Sequence, residues 1–524
     1  MDEALTAIGE RPASKIGVEP ARHVSLMENH DQAYYIWRDA GVKQRVLVHV
    51  DAHHDMWWIE DKATITIASF ICPALKEDLV REVIWVVPDA TFESAKSRKA
   101  VLKHLKRILR KYPAASRAPV VEEHRVSATV LGKKLSICPL QSLPAMSESV
   151  LLDIDVDYMV IPRVTHGESD LHSLLPWRWP SELLKQLRGI PSDLVTVVYS
   201  VEGGYTPLRW KYLGDELVLR LKKPGGGGSD LEGMDRIREG AQAELRGETA
   251  EAESKYRQAM DLLPSSAAPP YRLARLLVRQ GRLEEGRRLY GLAVALDGTY
   301  KGAYSSAGFH RYWRREFGAA EREFRETLML DPEDVYSRFG LGILAKKRRR
   351  WDEAEQHLRA ALAGDDCLVG AQRALGDVLV KQGKKQEALT AYERALKLGP
   401  MGHKPLSGPI LSHAPDHRLL DPWHYDTHAR LAALYEENGD MARAVTALRI
   451  AIASGFGSAA VRLRLARLYA RQHAWRKSAG EIWQAVKASP KDAQGGYTRL
   501  RRRLQEKIRE ASGSGRGPVG PRGL

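Results

Sequence analysis

Along the first 224 residues, short apolar and β-branched runs alternate with amphipathic stretches. Four runs, residues 44–50, 82–87, 149–153 and 193–199, are apolar at successive positions, as strands buried on both faces are. Between the second and third, residues 94–111 have the spacing of a basic amphipathic helix, followed by a hairpin around Gly132-Lys133. A shorter helix is predicted at 181–187. Strand, helix, strand at this spacing predicts an α/β domain over 1–224 with a mostly parallel sheet. Four glycines, Gly225 to Gly228, then predict a flexible linker over 225–231, because such a run holds no regular element. Beyond it the pattern is helical throughout.

That second half repeats. Small residues recur at Gly240, Ala274, Gly308, Gly342 and Gly376, each 34 apart, and resume at Ala432 and Ala466 after an insertion of 22 residues. A second small residue follows each by 12 positions, as at Ala252 and Ala354, and a large apolar one by 16, as at Tyr256, Phe324 and Tyr392. Pro264, Pro332, Pro400 and Pro490 close four units. Small residues predict close approach of two helices in a hairpin, and the large one is expected to fill the gap between neighbouring hairpins. The length, the small columns and the closing proline resemble the tetratricopeptide repeat. The resemblance covers 232–492 as seven repeats, with an insertion at 401–422, a capping helix over 493–511 and a disordered Gly/Pro-rich tail at 512–524. It implies an all-α solenoid that binds a peptide or protein partner. His403, His413 and His417 in the insertion are either metal ligands or part of a polar loop.

Charge sharpens the partner. The net charge is +15, and nearly all the excess lies beyond residue 224. An acidic partner suits such a surface, although solvated arginine faces are the simpler account of it, and nucleic acid is the less favoured partner. Cys72, Cys138 and Cys367 are odd in number and widely spaced, which excludes a disulfide framework and fits a reducing compartment. No signal-type segment opens the chain and no apolar run reaches about 18 residues. A cytoplasmic protein without membrane contact is expected.

The chemistry lies where three predicted strands end. The first runs into Asp51-Ala52-His53-His54-Asp55, the third into Asp153-Ile154-Asp155-Val156-Asp157, and the fourth into Ser200-Val201-Glu202. Strand ends of an open α/β sheet share one edge, so these carboxylates would repel one another unless cations lie between them. Carboxylate with imidazole suits manganese, iron or zinc. Either motif alone also reads as a polar loop, a helix cap or a calcium or phosphate loop; the coincidence of both favours metal. Trp57, Trp58, Trp177 and Trp179 either wall a substrate cleft or pack the core. Cys72 and Cys138 read as packed thiols, and Gly225–Gly228 is no phosphate loop, since no Lys-Ser/Thr follows.

Asp51-Ala52-His53-His54-Asp55 resembles the Asp-Ala-His-x-Asp motif of the ureohydrolases, the arginase and agmatinase family, and Asp153-Ile154-Asp155 resembles their second motif. The nearest branch is that of the peptide arginases, which convert arginine side chains to ornithine. The resemblance spans about residues 20–210 and implies an arginase-like α/β fold with two divalent metal ions, manganese foremost. It implies that Asp51 and Asp153 bridge the metals, with His30 and Asp55 completing one shell and His53 and Asp155 the other. Asp155 and Asp157 are an alternative ligand pair to Asp153 and Asp155, because the family's Asp-Pro after the second motif is replaced by Asp157-Tyr158-Met159. Glu202 falls where the family holds the guanidinium group, Asp55 and His54 are further catalytic candidates, and Trp57 and Trp58 would contact substrate. No histidine follows Asp55 at the spacing of the arginase proton shuttle, so His54 or His166 would have to serve. Three functions follow: an amidinohydrolase acting on arginine of a recruited peptide, another metal-dependent amide hydrolase or deacylase, or a non-catalytic repeat scaffold with a structural α/β domain.

Overall fold

The computed structural model describes residues 23–60, 65–113, 115–164, 175–201, 205–223, 228–301, 307–309, 311–312, 315–398, 426–453 and 457–488. The chain forms two compact units, divided near Pro332. The expected insertion at 401–422, cap at 493–511 and tail at 512–524 lie outside the described residues.

The first unit is built on an eight-stranded sheet. Its strands are β1 (His23–Met27), β2 (Arg45–Val50), β3 (Val80–Val87), β4 (Arg117–Val121), β5 (Val126–Val130), β6 (Lys133–Pro139), β7 (Leu151–Asp155) and β8 (Leu194–Val198), in the order β1-β8-β7-β2-β3-β6-β5-β4. Neighbours from β1 to β6 in that order run parallel; β5 is antiparallel to β6 and β4. Four strands were expected from their unbroken apolar runs, and the parallel sheet around them is present. β1 escapes that test because it is an edge strand with polar, half-exposed positions. At the other edge β4 carries Pro119, and its pairing slips between Arg117 and Val120, as suits a residue that cannot donate to a ladder.

Alternation along the central strands feeds two apolar layers. Val48, Val86, Ile154 and Val197 point to one, and Leu47, Trp85, Leu151 and Val198 to the other. The second layer is closed by helices α1 (Gln32–Asp39), α2 (Ile71–Lys76) and α3 (Ala95–Leu109), whose Trp37, Leu75 and Leu105 are buried there. The first is closed by α5 (Pro180–Leu187) and α6 (Tyr212–Lys222), with the single turn α4 (Asp157–Val160) after β7.

That first layer continues without a break into the repeats. Ile237 of α7 (Ser229–Arg246), Tyr256 of α8 (Thr249–Leu262), Leu273 of α9 (Ala268–Arg279) and Ala293 of α10 (Leu283–Leu296) join the core that holds Val48 and Leu213. Arg272 lies over the Trp210 ring at 4.2 Å, and Lys211 pairs with Asp297 at 2.7 Å. α7 starts at Ser229, within the 225–231 expected as linker, and the first hairpins pack on the sheet domain through shared apolar surface.

Within each hairpin the small column faces the large one. A Cβ on Gly240 would stand 2.6 Å from the Tyr256 ring, and one on Gly342 would stand 2.8 Å from Leu358. The large residue thus packs first on its own hairpin's glycine, and not, as expected, in the gap between hairpins. The second unit holds further helix pairs over Val335–Gly364, Val369–Leu398, Asp426–Ala451 and Ala459–Ala488, and repeats this geometry at Gly376 and Tyr392, 2.5 Å. Among the described residues no helix is long and apolar enough to cross a membrane.

Candidate metal centre

Strand alternation places the key groups on one face. His49 on β2 with Asp51 just past its end, and Asp153 and Asp155 on β7, extend the face that carries Leu47 and Leu151. His49 stands opposite Asp153 in the register, and Asp153 opposite Thr196 of β8. Their side chains meet accordingly: His49 Nδ1 is 2.8 Å from Asp153 Oδ2, and Thr196 Oγ1 donates to Asp153 Oδ1 at 2.5 Å.

Loops at the same edge complete the cluster. His30 follows β1 in the turn into α1, its ring stacked on Phe70 at 4.5 Å. Its Nε2 lies 2.7 Å from Asp153 Oδ2, and its Nδ1 lies 3.0 Å from Asp55, 3.1 Å from Asp155 and 3.3 Å from Asp51. Asp55 (φ 46°) and Ser200 (φ 51°) adopt left-handed backbone conformations, which for non-glycine residues cost on the order of 1–2 kcal/mol. Both are strained in the service of this cluster: Asp55 reaches His30, and Ser200 Oγ donates to Asp155 Oδ2 at 2.5 Å.

A second pair stands alongside. His53 Nδ1 lies 2.7 Å from Asp157 Oδ2 and 3.6 Å from Asp51 Oδ1. Asp51 therefore touches both groupings. The ligand atoms of His30, Asp51 and Asp155, of His30, His49 and Asp153, of His49, Asp51 and Asp55, and of Asp51, His53 and Asp157 each lie within 4.8 Å of one another.

Burial makes this concentration of charge expensive. Asp51, Asp153 and His49 are fully buried, and Asp155, Asp157 and His30 nearly so. Burial, then the charges of Asp157, Asp155 and Asp55, push the Asp51 carboxyl well above its usual range. Burial and Asp157 raise Asp155 to about 6. Burial opposes the imidazolium of His30, yet Asp153, Asp155 and Asp55 outweigh it and hold its pKa well above 6.5. Burial likewise opposes ionisation of Asp153 and Asp157, but His30 and His49 lower the first and His53 the second.

Two atoms remain unmet. His49 Nε2 and Asp51 Oδ2 face each other at 3.3 Å, both buried, and neither has a hydrogen-bond partner. Orphaned buried atoms of this kind are rare and costly. A divalent cation satisfies both, and buried carboxylates with neutral imidazoles are the donors that manganese, iron or zinc takes. The residues fit such an ion.

Of the residues predicted from sequence, His30, Asp51, Asp55, Asp153 and Asp155 converge. Asp157 sits with His53, so His53 is partnered by Asp157 where Asp155 was expected, and Asp155 is partnered by His30. His54 is buried one step aside, its Nδ1 accepting from Met56 N at 2.8 Å and its ring against Trp57, Trp85 and His104. Burial and the nearby His104 hold its pKa well below 6.5. A cavity of about 120 Å³ is lined by His30, His53, Asp155, Asp157, Trp57 and Tyr205. Trp58 does not line it; that ring packs on Tyr112 with Lys76 over its face at 4.2 Å, the packing alternative to a substrate contact. Trp177 and Trp179 pack on Tyr158 and Trp210. Glu202 and His166 lie outside the described residues. His49 and Tyr205 were missed. Strand period could have shown His49, two positions before Asp51; Tyr205, 4.6 Å from the His53 ring, has no such signal.

The family-model matches fall on the second half. Tetratricopeptide repeat family models match residues 245–306, 311–366 and 369–401. Cellulose synthase operon protein C of Xanthomonas axonopodis pv. citri (strain 306) is 28% identical over 249 residues, which is 44% of this chain and 15% of that protein. The chain thus spans about a seventh of that relative's length. Among solved structures, the APC/C hetero-tetramer Cut9-Hcn1 is 15% identical over 61% of this chain and 55% of that one, with a TM-score of 0.32. Yeast Tom70 is 16% identical over 59% and 64%, with a TM-score of 0.30. YrrB, described as a TPR protein with an unusual peptide-binding site, is 21% identical over 38% and 90%, with a TM-score of 0.24. The helix pairs, their small-against-large packing and the matched segments together establish that this chain carries tetratricopeptide repeats.

Proposed function

We propose that the repeats bind a peptide or protein partner and that the α/β domain is a hydrolase centre for two divalent metal ions, acting on the arginine side chains of that partner. The observation that carries this reading is the buried meeting of His30, His49, Asp51, Asp55, Asp153 and Asp155, with two polar atoms left unmet. A purely structural core gains nothing from four mutually repelling carboxylates.

His30, His49, Asp51, Asp55, Asp153 and Asp155 would hold the metals, with His53 and Asp157 at the adjoining edge. Bound there, the metals supply an activated water at neutral pH. The chain's own residues do the rest. Thr196 and Ser200 fix the Asp153 and Asp155 carboxylates by hydrogen bonds, so the cluster is organised before ligand arrives. Trp57 and Tyr205 wall the cavity and exclude bulk water. In the reaction, water adds to the guanidinium carbon, the bond from that carbon to Nε breaks, and urea leaves while ornithine keeps the protonated amine. The His53–Asp157 pair, which lines the cavity with the His53 side chain 28% exposed, would pass the proton to that amine. Choice of a guanidino substrate rests on the Asp-Ala-His-x-Asp resemblance and on Glu202 as its anchor.

A second reading, a non-catalytic repeat scaffold, is favoured by the family matches, which lie in the repeats. Elemental mass spectrometry of the purified chain and of Asp155→Ala separates the two. About two equivalents of transition metal, lost in the variant, support the hydrolase; no metal uptake, even from added manganese, leaves the scaffold. Peptide mass spectrometry then tests for loss of urea from arginine, with Glu202→Gln expected to abolish it. Hydrolysis of an amide bond that leaves the arginines intact and is retained in Glu202→Gln would favour an amide hydrolase instead.

A further inference from the structure

A cavity of about 200 Å³ lies where the sheet domain meets the first repeats. Five arginines line it: Arg209 from the short helical turn Leu208–Trp210 after β8, Arg272, Arg275 and Arg279 from α9, and Arg311 from the third hairpin. The α9 residues share a face because their spacing of three and four positions follows the helical turn.

Two carboxylates line the same cavity, and both are already engaged. Glu323 pairs with Arg275, and Glu244 with Arg279 at 3.1 Å. Arg311 pairs with Glu316 at 2.6 Å. Among the described residues, Arg209 and Arg272 have no ion pair. Arg272 is 8% exposed; its guanidinium stacks over Trp210 and donates to the Arg209 carbonyl at 3.0 Å, and its Nε is buried without a hydrogen-bond partner. Burial, with Arg272 and Arg275 nearby, lowers the Arg209 guanidinium to about 10, the mark of crowded positive charge. Two guanidinium groups held this way lack an anion.

We propose that this cavity binds a carboxylate side chain of the partner, so that the repeats select a peptide with an acidic segment. Planar guanidinium groups accept carboxylates through paired hydrogen bonds, and the cavity has room for one or two such side chains. The inference rests on the partner-binding part of the proposed function and is independent of the metal centre. It also relates the two cavities. Tyr205 of the metal-side cavity and Arg209 are four residues apart, at most about 14 Å of extended chain, so one peptide reaches both. The acidic segment would then set which neighbouring residue enters the sheet domain.

The test uses the full chain in chelator, with fluorescence anisotropy of a fluorescein-labelled octapeptide of glutamate against one of glutamine at about 0.1 M salt. The glutamate peptide is expected to bind at least tenfold tighter. Arg209→Gln, at the partly exposed position of its turn, is expected to weaken it by about 10- to 100-fold, as loss of a charged hydrogen-bonding pair does. Arg279→Gln serves as a second variant, and circular dichroism checks that each is folded. Equal binding of the two peptides overturns the inference. So does glutamate binding that neither variant weakens, which would place peptide capture elsewhere on the repeats and leave the proposed function standing. No peptide binding at all sinks both the inference and the partner-binding reading.

Discussion

His49 and Asp153 stand opposite each other in the register of two adjacent parallel strands, and their side chains meet at 2.8 Å with no exposure to solvent. Nothing in the Asp-x-His-x-Asp or Asp-x-Asp spacing contains this contact. It makes His49 part of the centre, either as a ligand or as the group that orients Asp153.

Replacing His49 by glutamine should therefore weaken metal binding by about 10- to 100-fold, the usual cost of a lost ligand orienter. Titration with manganese, followed by the loss of free-ion paramagnetic signal, measures it. Affinity equal to that of the unaltered chain would place His49 outside the centre.

Metal should also stabilise the sheet domain. Manganese at about 100 times its dissociation constant is expected to add about 2.7 kcal/mol, and chelation to remove it. Asp51→Asn should do the reverse in chelator: it removes a charge crowded by Asp157, Asp155 and Asp55, and so raises the unfolding midpoint by roughly 2–4 °C while abolishing the manganese-dependent rise. Calorimetry of both proteins with and without manganese decides the matter.

In the repeats, Gly376→Val should cost about 1–3 kcal/mol, since a Cβ there already meets the Tyr392 ring at 2.5 Å. Tyr392→Leu in the same chain should recover part of that loss, because the two positions share one space. Urea unfolding monitored by circular dichroism reads both.

Asp377 holds Lys346 at 2.8 Å, Arg430 at 2.9 Å and the Tyr392 hydroxyl at 2.8 Å. Burial opposes its ionisation, but Lys346 and Arg430 outweigh that and depress its pKa below 3.8. A depressed carboxylate contributes stability that is complete above the unfolded value and is lost as pH falls through the folded one. The difference in unfolding free energy between the unaltered chain and Asp377→Asn, about 1–3 kcal/mol, should thus be constant from about pH 5 to 8 and shrink below about pH 4. A difference that persists into stronger acid would contradict the ionic role.

The repeats were legible because their physics is local and periodic. A glycine such as Gly240 must be small wherever it meets Tyr256 sixteen positions on, so the constraint is written into one column of the sequence. The central strands were legible for a similar reason: β2 and β8 are buried on both faces and show no polar alternation. The carboxylates of Asp51, Asp55, Asp153 and Asp155 stood out because two acidic motifs stand at the ends of apolar strands of one sheet, a coincidence that neither motif carries alone.

What the tertiary structure decided was pairing across strands and between domains. Which histidine meets which aspartate depends on register between β1, β8, β7 and β2, segments up to about 170 residues apart, and no linear spacing encodes that. Hence His53 found Asp157 and not Asp155, His49 joined the centre, and Trp58 left it. The four glycines promised a loose tether by composition, yet apolar surface on α6 and α7 buried itself at their ends and brought Arg209 beside Arg272. Composition determines what each segment can bury; only packing determines against what.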